Sequence, residues 1–329
     1  TETETSPYIQ AAVTVVPKDG VVYNTANLFK FRQEGVKLVG FYSDEACTNA
    51  ISTLQKGFGT AYALATYKTA NTTCTVRYTV SEPTTYRVVA PNGDVSFDFN
   101  GDTLTDGDNA TFYATLTEAY NAVATPSRIT ANPATDVIVL MPGTYSEALT
   151  LAKSVAILGP KFGVSAHEKG TMTVAGGRST DEAEEAVLTA ALTVSLWNNV
   201  YVSLDGLAVN SSNLTAAHST AARKSYIALR NMNFASGTKV LTSTNASTTS
   251  ANQLYFSAYN SAFEATDGDA IYAVFAGVRI EDCLVRTAKN LLYARPLVPS
   301  NITYSPRSNE MYIVNNTFAD TMVNNYCVA

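Results

Sequence analysis

The sequence is poor in the residues on which most active-site chemistry depends. It holds two His, one Trp and four Cys, and only 15% of its residues are charged. With 22 Lys and Arg against 28 Asp and Glu, the net charge of −6 provides no basic surface to track a phosphate backbone, so nucleic acid is not an expected partner. No apolar run approaches the ~18 residues of a membrane-spanning helix, so no membrane span is expected. No Gly-rich phosphate loop is present, which argues against nucleotide binding. No two Cys lie two to four residues apart, the spacing of a thiolate metal site. Cys47 with Cys74, and Cys283 with Cys327, are disulfide candidates, with buried free thiols as the competing expectation. Neither His167 nor His218 stands in a setting that supports a Ser-His-Asp arrangement. Residues 1–6 have neither a positive n-region nor an apolar h-region, so a signal peptide is expected either to have been removed or never to have been there.

What fills the chain instead is uncharged. Apolar residues make up 46%, Tyr alone contributes 19, and Thr, Asn and Ser are abundant. So much apolar content at so little charge predicts a folded, β-rich protein rather than a disordered one. Residues 1–95 read as a small β-domain, with period-2 strands at 12–16, 36–42 and 74–80 and one short helix between 44 and 56. This domain is expected to serve assembly or attachment. Tyr8, Ile9, Val13 and Val15 lie on a segment suited to donation as a strand to a neighbour.

Residues 96–125 read as an acidic turn followed by an amphipathic capping helix. Asp98, Asn100 and Asp102 at alternate positions, with Asp106 as a later ligand, match the start of a loop that holds structural calcium. Thr103 and Asn109 depart from the Gly and the bidentate Glu of such loops, so a solvated turn competes; no other cofactor is expected. From Ala110, the residues Phe112, Leu116, Ala119, Tyr120 and Val123 share a helical face.

Residues 126–329 are dominated by a repeat. Its template is an apolar residue at −4, an apolar or small one at −2, Asn, Asp or Gly at 0, and an apolar one at +3. Five segments fit: Val202/Leu204/Gly206/Val209, Ile227/Leu229/Asn231/Phe234, Phe256/Ala258/Asn260/Phe263, Val278/Ile280/Asp282/Val285 and Met311/Ile313/Asn315/Phe318. Val155/Ile157/Gly159/Phe162 is an earlier copy, and the gap of 47 residues after it leaves room for one more coil containing Met172 and Val174, or Leu192 and Val194. A strand, a polar bend and a second inward residue, recurring every twenty-odd residues, predict a β-solenoid in which each coil covers the apolar stripe of the last. A β-sandwich, with strands every 8–12 residues, is the competitor.

The segments Thr115-Leu116-Thr117-Glu118-Ala119 and Asp136 to Glu147, with Met141-Pro142-Gly143-Thr144-Tyr145-Ser146-Glu147, resemble the opening coil of pectin-lyase-like β-helices, the pectinesterase branch in particular. Ile157-Leu158-Gly159-Pro160, Glu185-Ala186-Val187 and Val200 to Leu207 are similar to coils of surface proteins and phage spikes built on that fold. The resemblance covers roughly residues 110–320 and implies an all-β chain: a right-handed parallel β-helix behind a small N-terminal β-domain. It does not imply an activity, because the superfamily's enzyme motifs are missing and the fold hosts enzymes, adhesins and inert stalks alike.

The expected function is therefore non-enzymatic: a structural subunit of an extracellular, cell-surface or virion assembly such as a filament, surface layer, spike or capsid decoration, partnered by copies of itself or other surface proteins. The alternative is a carbohydrate-active or carbohydrate-binding β-helix, a lyase, glycosidase or glycan adhesin. Its candidate residues are Glu264, Asp267, Asp269 and Arg279, since two carboxylates 5–10 Å apart suffice for glycoside hydrolysis. A solvated acidic loop is the competing expectation there.

Overall fold

The structure, a computed structural model, describes residues 12–28, 37–68, 73–124, 136–172, 174, 178–195, 201–210, 214–217, 224–236, 241–244, 253–265, 271–275, 277–287, 292–296 and 311–320. Tyr8, Ile9, Trp197, His218, Asp267, Asp269 and Cys327 lie outside them. The described chain is almost entirely β, and it forms two compact units. The boundary falls after Thr85 rather than near residue 95, because Tyr86–Val89 already belongs to a parallel sheet of the second unit.

The first unit is built on a five-stranded sheet in the order Ala12–Thr14, Thr73–Ser81, Thr60–Lys68, Lys37–Tyr42, Ala50–Ile51. Alternation gives it one apolar face: Phe41, Ala61, Ala63, Ala65, Val76, Tyr78 and Val80 are buried with Leu54, and Val13 and Val15 pack against them half-buried. No helix forms between 44 and 56. Asp44 closes a turn instead, its carboxylate accepting from the backbone N–H of Asn49 (2.6 Å) and Thr48, bonds that hold its pKa below the usual value. The tip of the acidic stretch, Asp98–Thr103, belongs to this unit.

The second unit holds three sheets. The first runs through Val155–Leu158, Tyr201–Asp205, Lys224–Arg230, Gln253–Tyr259, Gly277–Glu281 and Met311–Val314, all parallel. The second runs from Gly143–Tyr145 through Ala186–Leu188, Ala208–Asn210, Asn233–Ser236, Ala262–Ala265 and Leu284–Thr287 to Thr317–Asp320. The third runs from Leu149–Leu151 through Leu192–Ser195, Leu214–Ala217, Leu241–Thr244 and Ile271–Phe275 to Leu292–Pro296. The chain visits the sheets in rotation and each strand pairs with the one three elements later, an arrangement compatible with a β-helix. The repeat template is this register read from sequence. Ile157, Leu204, Leu229, Ala258, Ile280 and Ile313 lie side by side, as do Val209, Phe234, Phe263, Val285 and Phe318. Phe234 and Phe263 stack at 4.9 Å between ring centres in a core that is continuous from Val89 to Val285.

Two expectations are corrected here. The 47-residue gap holds no extra coil: Val155–Leu158 pairs directly with Tyr201–Asp205, Leu192 and Val194 lie in the third sheet of that same coil, and Met172 is exposed. The helix is also shorter than its periodicity suggests. Ala110–Tyr113 is a strand beside Tyr86–Val89, and Leu116–Asn121 alone is helical, because the Thr115 hydroxyl caps it with Glu118 in a capping box. Glu147 accepts from Leu116 and Thr117 N–H, while Lys153 Nζ donates to the carbonyls of Tyr120, Asn121 and Val123 at the other end.

Candidate functional site

Between the first and second sheets five coils turn in two residues: Gly206-Leu207, Asn231-Met232, Asn260-Ser261, Asp282-Cys283 and Asn315-Asn316. The leading residue of every bend is left-handed, with φ between 50 and 72°. Only Gly, Asn and Asp take that conformation at little cost, which is why the repeat centres are these types. At two of these bends the second residue is polar and its side chain bonds back to the preceding coil. Ser261 Oγ accepts from Met232 N–H, and the Asn316 amide both accepts from Cys283 N–H and donates to the Ile280 carbonyl.

The coil that begins at Val155 departs from this rule. Its bend is replaced by an insertion from Gly159 to Glu185, which folds down along the bends of the following coils. Backbone at Lys161 and Phe162 rests on Gly206, where a Cβ would stand 2.2 Å from Phe162 N. Gly163 N–H donates to the Asp205 carboxylate, Ala166 N–H to the Asn260 carbonyl (2.8 Å), and His167 Nδ1 lies 3.0 Å from the Asp282 carbonyl. Lys169 Nζ pairs with the Asp282 carboxylate at 2.8 Å. The chain then turns at Gly170, which has φ +80°, and returns to Arg178 and Glu185. The insertion is therefore a strap that ties four successive bends together.

The root of the strap is a fully buried ion pair. Arg178 Nε and Glu185 Oε1 are 2.7 Å apart, with neither side chain exposed. The guanidinium has five N–H donors, and five bonds use them: two to Glu185 and one each to the carbonyls of Val164, Asn231 and Leu207. Beside it, burial pushes the Asp205 carboxyl up to about 6 even though Asn231 Nδ2 and Gly163 N–H both donate to its Oδ1. A cluster of buried charges normally raises the question of catalysis. Here every donor on Arg178 already has a partner within the protein.

The residues singled out from sequence are dispersed. Glu264, in the second sheet, pairs with Arg286 on the next coil at 2.6 Å. Arg279, in the first sheet, bonds Glu281 and lies over the Tyr259 ring, as does Arg230. Glu264 and Arg279 thus serve different sheets and different partners. The acidic stretch folds as two short strands joined by a turn at Asn100-Gly101, both at positive φ. Lys56 Nζ sits 2.8 Å from Asp102 and 2.7 Å from the Asn100 carbonyl, Asp98 accepts from Thr103 Oγ1, and Asp106 accepts from Phe112 N–H. Among the described residues no three of His, Cys, Asp and Glu are grouped to hold a metal ion. Val13 and Val15 lie on the chain's own sheet. Cys47 and Cys283 are not bridged. Cys283 is buried in a bend, with its Sγ 3.3 Å from the Glu281 carbonyl and its thiol pushed up to about 12 by burial.

Sequence reasoning missed the strap residues Arg178, Glu185 and Asp205. It also missed a row in the third sheet. Thr150, Thr193, Thr215 and Thr242 are in register, each directly after an aligned Leu at 149, 192, 214 and 241. Leu149, Leu192 and Leu214 are buried, so the Thr positions belong to the opposite face. Tyr272 and Tyr293 continue the row in register. Comparison with protein-family models, with curated proteins and with solved structures found no match for this chain.

Proposed function

We propose that the chain is a non-enzymatic structural subunit of an extracellular or virion surface assembly, its three parallel sheets closing into a right-handed β-helix of the pectin-lyase-like kind. The observation that carries this reading is the strap. A long insertion at a solenoid corner is the segment with which a binding cleft would be walled. In this chain it lies along the bends, and its Arg178, Glu185 and Lys169 are spent on holding coils together. The ion pairs Arg286–Glu264 and Arg279–Glu281 likewise join groups on the sheets themselves. Native mass by light scattering, together with negative-stain imaging, tests the reading. A defined oligomer, ring or filament is expected; a monomer at high concentration defeats it.

A second reading, glycan binding, draws on the Thr row. Four Thr positions and two Tyr positions in register along the third sheet form an uncharged row of the kind a neutral carbohydrate could follow. Charge placed there by Thr193→Lys with Thr215→Lys should abolish glycan-array binding while leaving the circular dichroism unchanged. Polysaccharide turnover lost in Asp267→Ala/Asp269→Ala would favour the enzymatic form of this reading.

A further inference from the structure

The five-stranded sheet of the first unit contains one anomalous strand. Its other pairings are antiparallel, linking Thr73–Ser81 to Thr60–Lys68, Thr60–Lys68 to Lys37–Tyr42, and Lys37–Tyr42 to Ala50–Ile51. Ala12–Thr14 alone is parallel. It lies at the edge, with Ala12, Val13 and Thr14 opposite Thr79, Val80 and Ser81, and one further ladder bond from Val15 N–H to the Ser81 carbonyl at 3.0 Å. Pro17 has no N–H and cannot continue the ladder.

From Pro17 onward the chain is pinned. The Asn100 amide donates to the Pro17 carbonyl and accepts from Asp19 N–H, both at 2.8 Å, and Lys18 N–H donates to the Tyr23 hydroxyl. Lys56 sits between Asp102 and Asp19. Before Pro17 the arm is held by the edge ladder and by the half-buried Val13 and Val15 against a core that includes fully buried Val80. A short arm on a fixed base therefore occupies a recess made from distant sequence, and rotation at Val16–Pro17 would free it.

We propose that this arm is exchanged between copies: residues 12–16 of one copy lie along Thr79–Ser81 of the next, so that each recess is filled by its neighbour. The proposal rests on the structural-subunit reading and names the surface by which the subunits join. Exchange re-forms the same ladder bonds and the same Val13 and Val15 packing in the partner, so its cost is confined to the hinge and to association. Within one chain the arm is favoured by its high effective concentration; in an ordered array the neighbour's arm is equally close. An open exchange, head to tail, propagates into a filament, whereas a reciprocal one closes a dimer.

The test mixes two full-length variants, Val13→Cys and Val80→Cys, under mild oxidation, with linked peptides identified by mass spectrometry. The double variant in one chain serves as the within-chain control. A 13–80 link joining two chains, seen as a species of twice the chain mass, is the expected result. Linkage in the double variant within one chain, with none in the mixture, overturns the proposal. Thr14→Cys with Ser81→Cys, the adjacent register pair, repeats the test where Val80→Cys destabilises the core. Light scattering on the same samples separates the two claims. Assembly without inter-chain linkage defeats the exchange but leaves the structural reading standing, and a monomer defeats both.

Discussion

Arg178→Met removes the guanidinium at the root of the strap and leaves Glu185 buried and charged. Neither side chain is exposed to solvent, so no water screens the stranded carboxylate. Breaking a buried pair by removing one partner costs about 3–5 kcal/mol. The carbonyls of Val164 and Asn231 lose this donor as well, each orphaned acceptor costing about 1–3 kcal/mol unless water reaches it, while the Leu207 carbonyl keeps the Asn233 N–H. At about 2–4 °C per kcal/mol for a unit of this size, the ion-pair cost by itself should lower the melting temperature by roughly 6–20 °C, and the carbonyls add to that. Adding Glu185→Leu removes the stranded charge and should recover part of the loss, because an apolar pair often replaces a buried ion pair without penalty. The cost left over measures the lost bonds to the carbonyls. Guanidinium unfolding followed by circular dichroism, run on wild type, both single variants and the double, gives the coupling energy directly. A single variant within about 1 kcal/mol of wild type, or a double that costs the sum of its singles, would refute the account of the strap as a clamp.

Asp205 supplies a pH test. Its folded pKa, about 6, lies above the 3.8 of a solvated Asp, so its contribution to stability is complete below the lower value and is lost as pH rises through the upper one. That loss is about 3 kcal/mol at 1.36 kcal/mol per pKa unit. Asp205→Asn keeps the Oδ1 that accepts from Asn231 and Gly163, and should be more stable than wild type at pH 8 but not at pH 4, as judged by melts at both values. Asn231→Ala should cost roughly 1–2 kcal/mol for its left-handed backbone, with the lost bond to Asp205 added; Asn231→Gly should remove the strain alone, and equal costs in denaturant melts would contradict this. Gly206→Ala should fail to fold or shift the strap, since its Cβ would meet Phe162 N at 2.2 Å; limited proteolysis cutting within 161–172 is the readout. Thiol labelling at pH 8, mapped by mass spectrometry, should reach Cys47 and spare Cys283 until denaturant is added.

The parallel sheets were legible because their signal is local and repeated. A left-handed bend admits few residue types, so Gly206, Asn231, Asn260, Asp282 and Asn315 stand out at spacings that equal the strand register. The third sheet carried an equally local signal that went unread: the pair Leu-Thr at 149–150, 192–193, 214–215 and 241–242, followed by an apolar residue with Tyr at 271–272 and 292–293. The strap was not legible. Its partners are backbone carbonyls of bends up to four coils away, and a carbonyl has no letter in the sequence. The acidic stretch shows the converse, a local pattern whose partners come from elsewhere in the chain. Asp98, Asn100 and Asp102 have the spacing of a cation loop, but Asn100-Gly101 is also a tight-turn dipeptide, and Lys56, 46 positions from Asp102, supplies the positive charge.

The strap changes what kind of object the coils make. A stack in which each coil touches only its neighbours has a stability that is a sum of local terms, and it can open one coil at a time from an end. Bonds from one insertion to Asp205, Asn231, Asn260 and Asp282 add terms that skip over coils, so those coils open together or the strap must first let go. Among the described residues no strap contact reaches the bend at Asn315, whose coil is held to its neighbour by strand pairing and by Asn316. The same chain thus joins a stretch that resists opening to a coil that yields more readily. In a subunit that bears load through its neighbours, that asymmetry determines where deformation begins: at the unstrapped coil, and not at the bends that Arg178 and Glu185 hold closed.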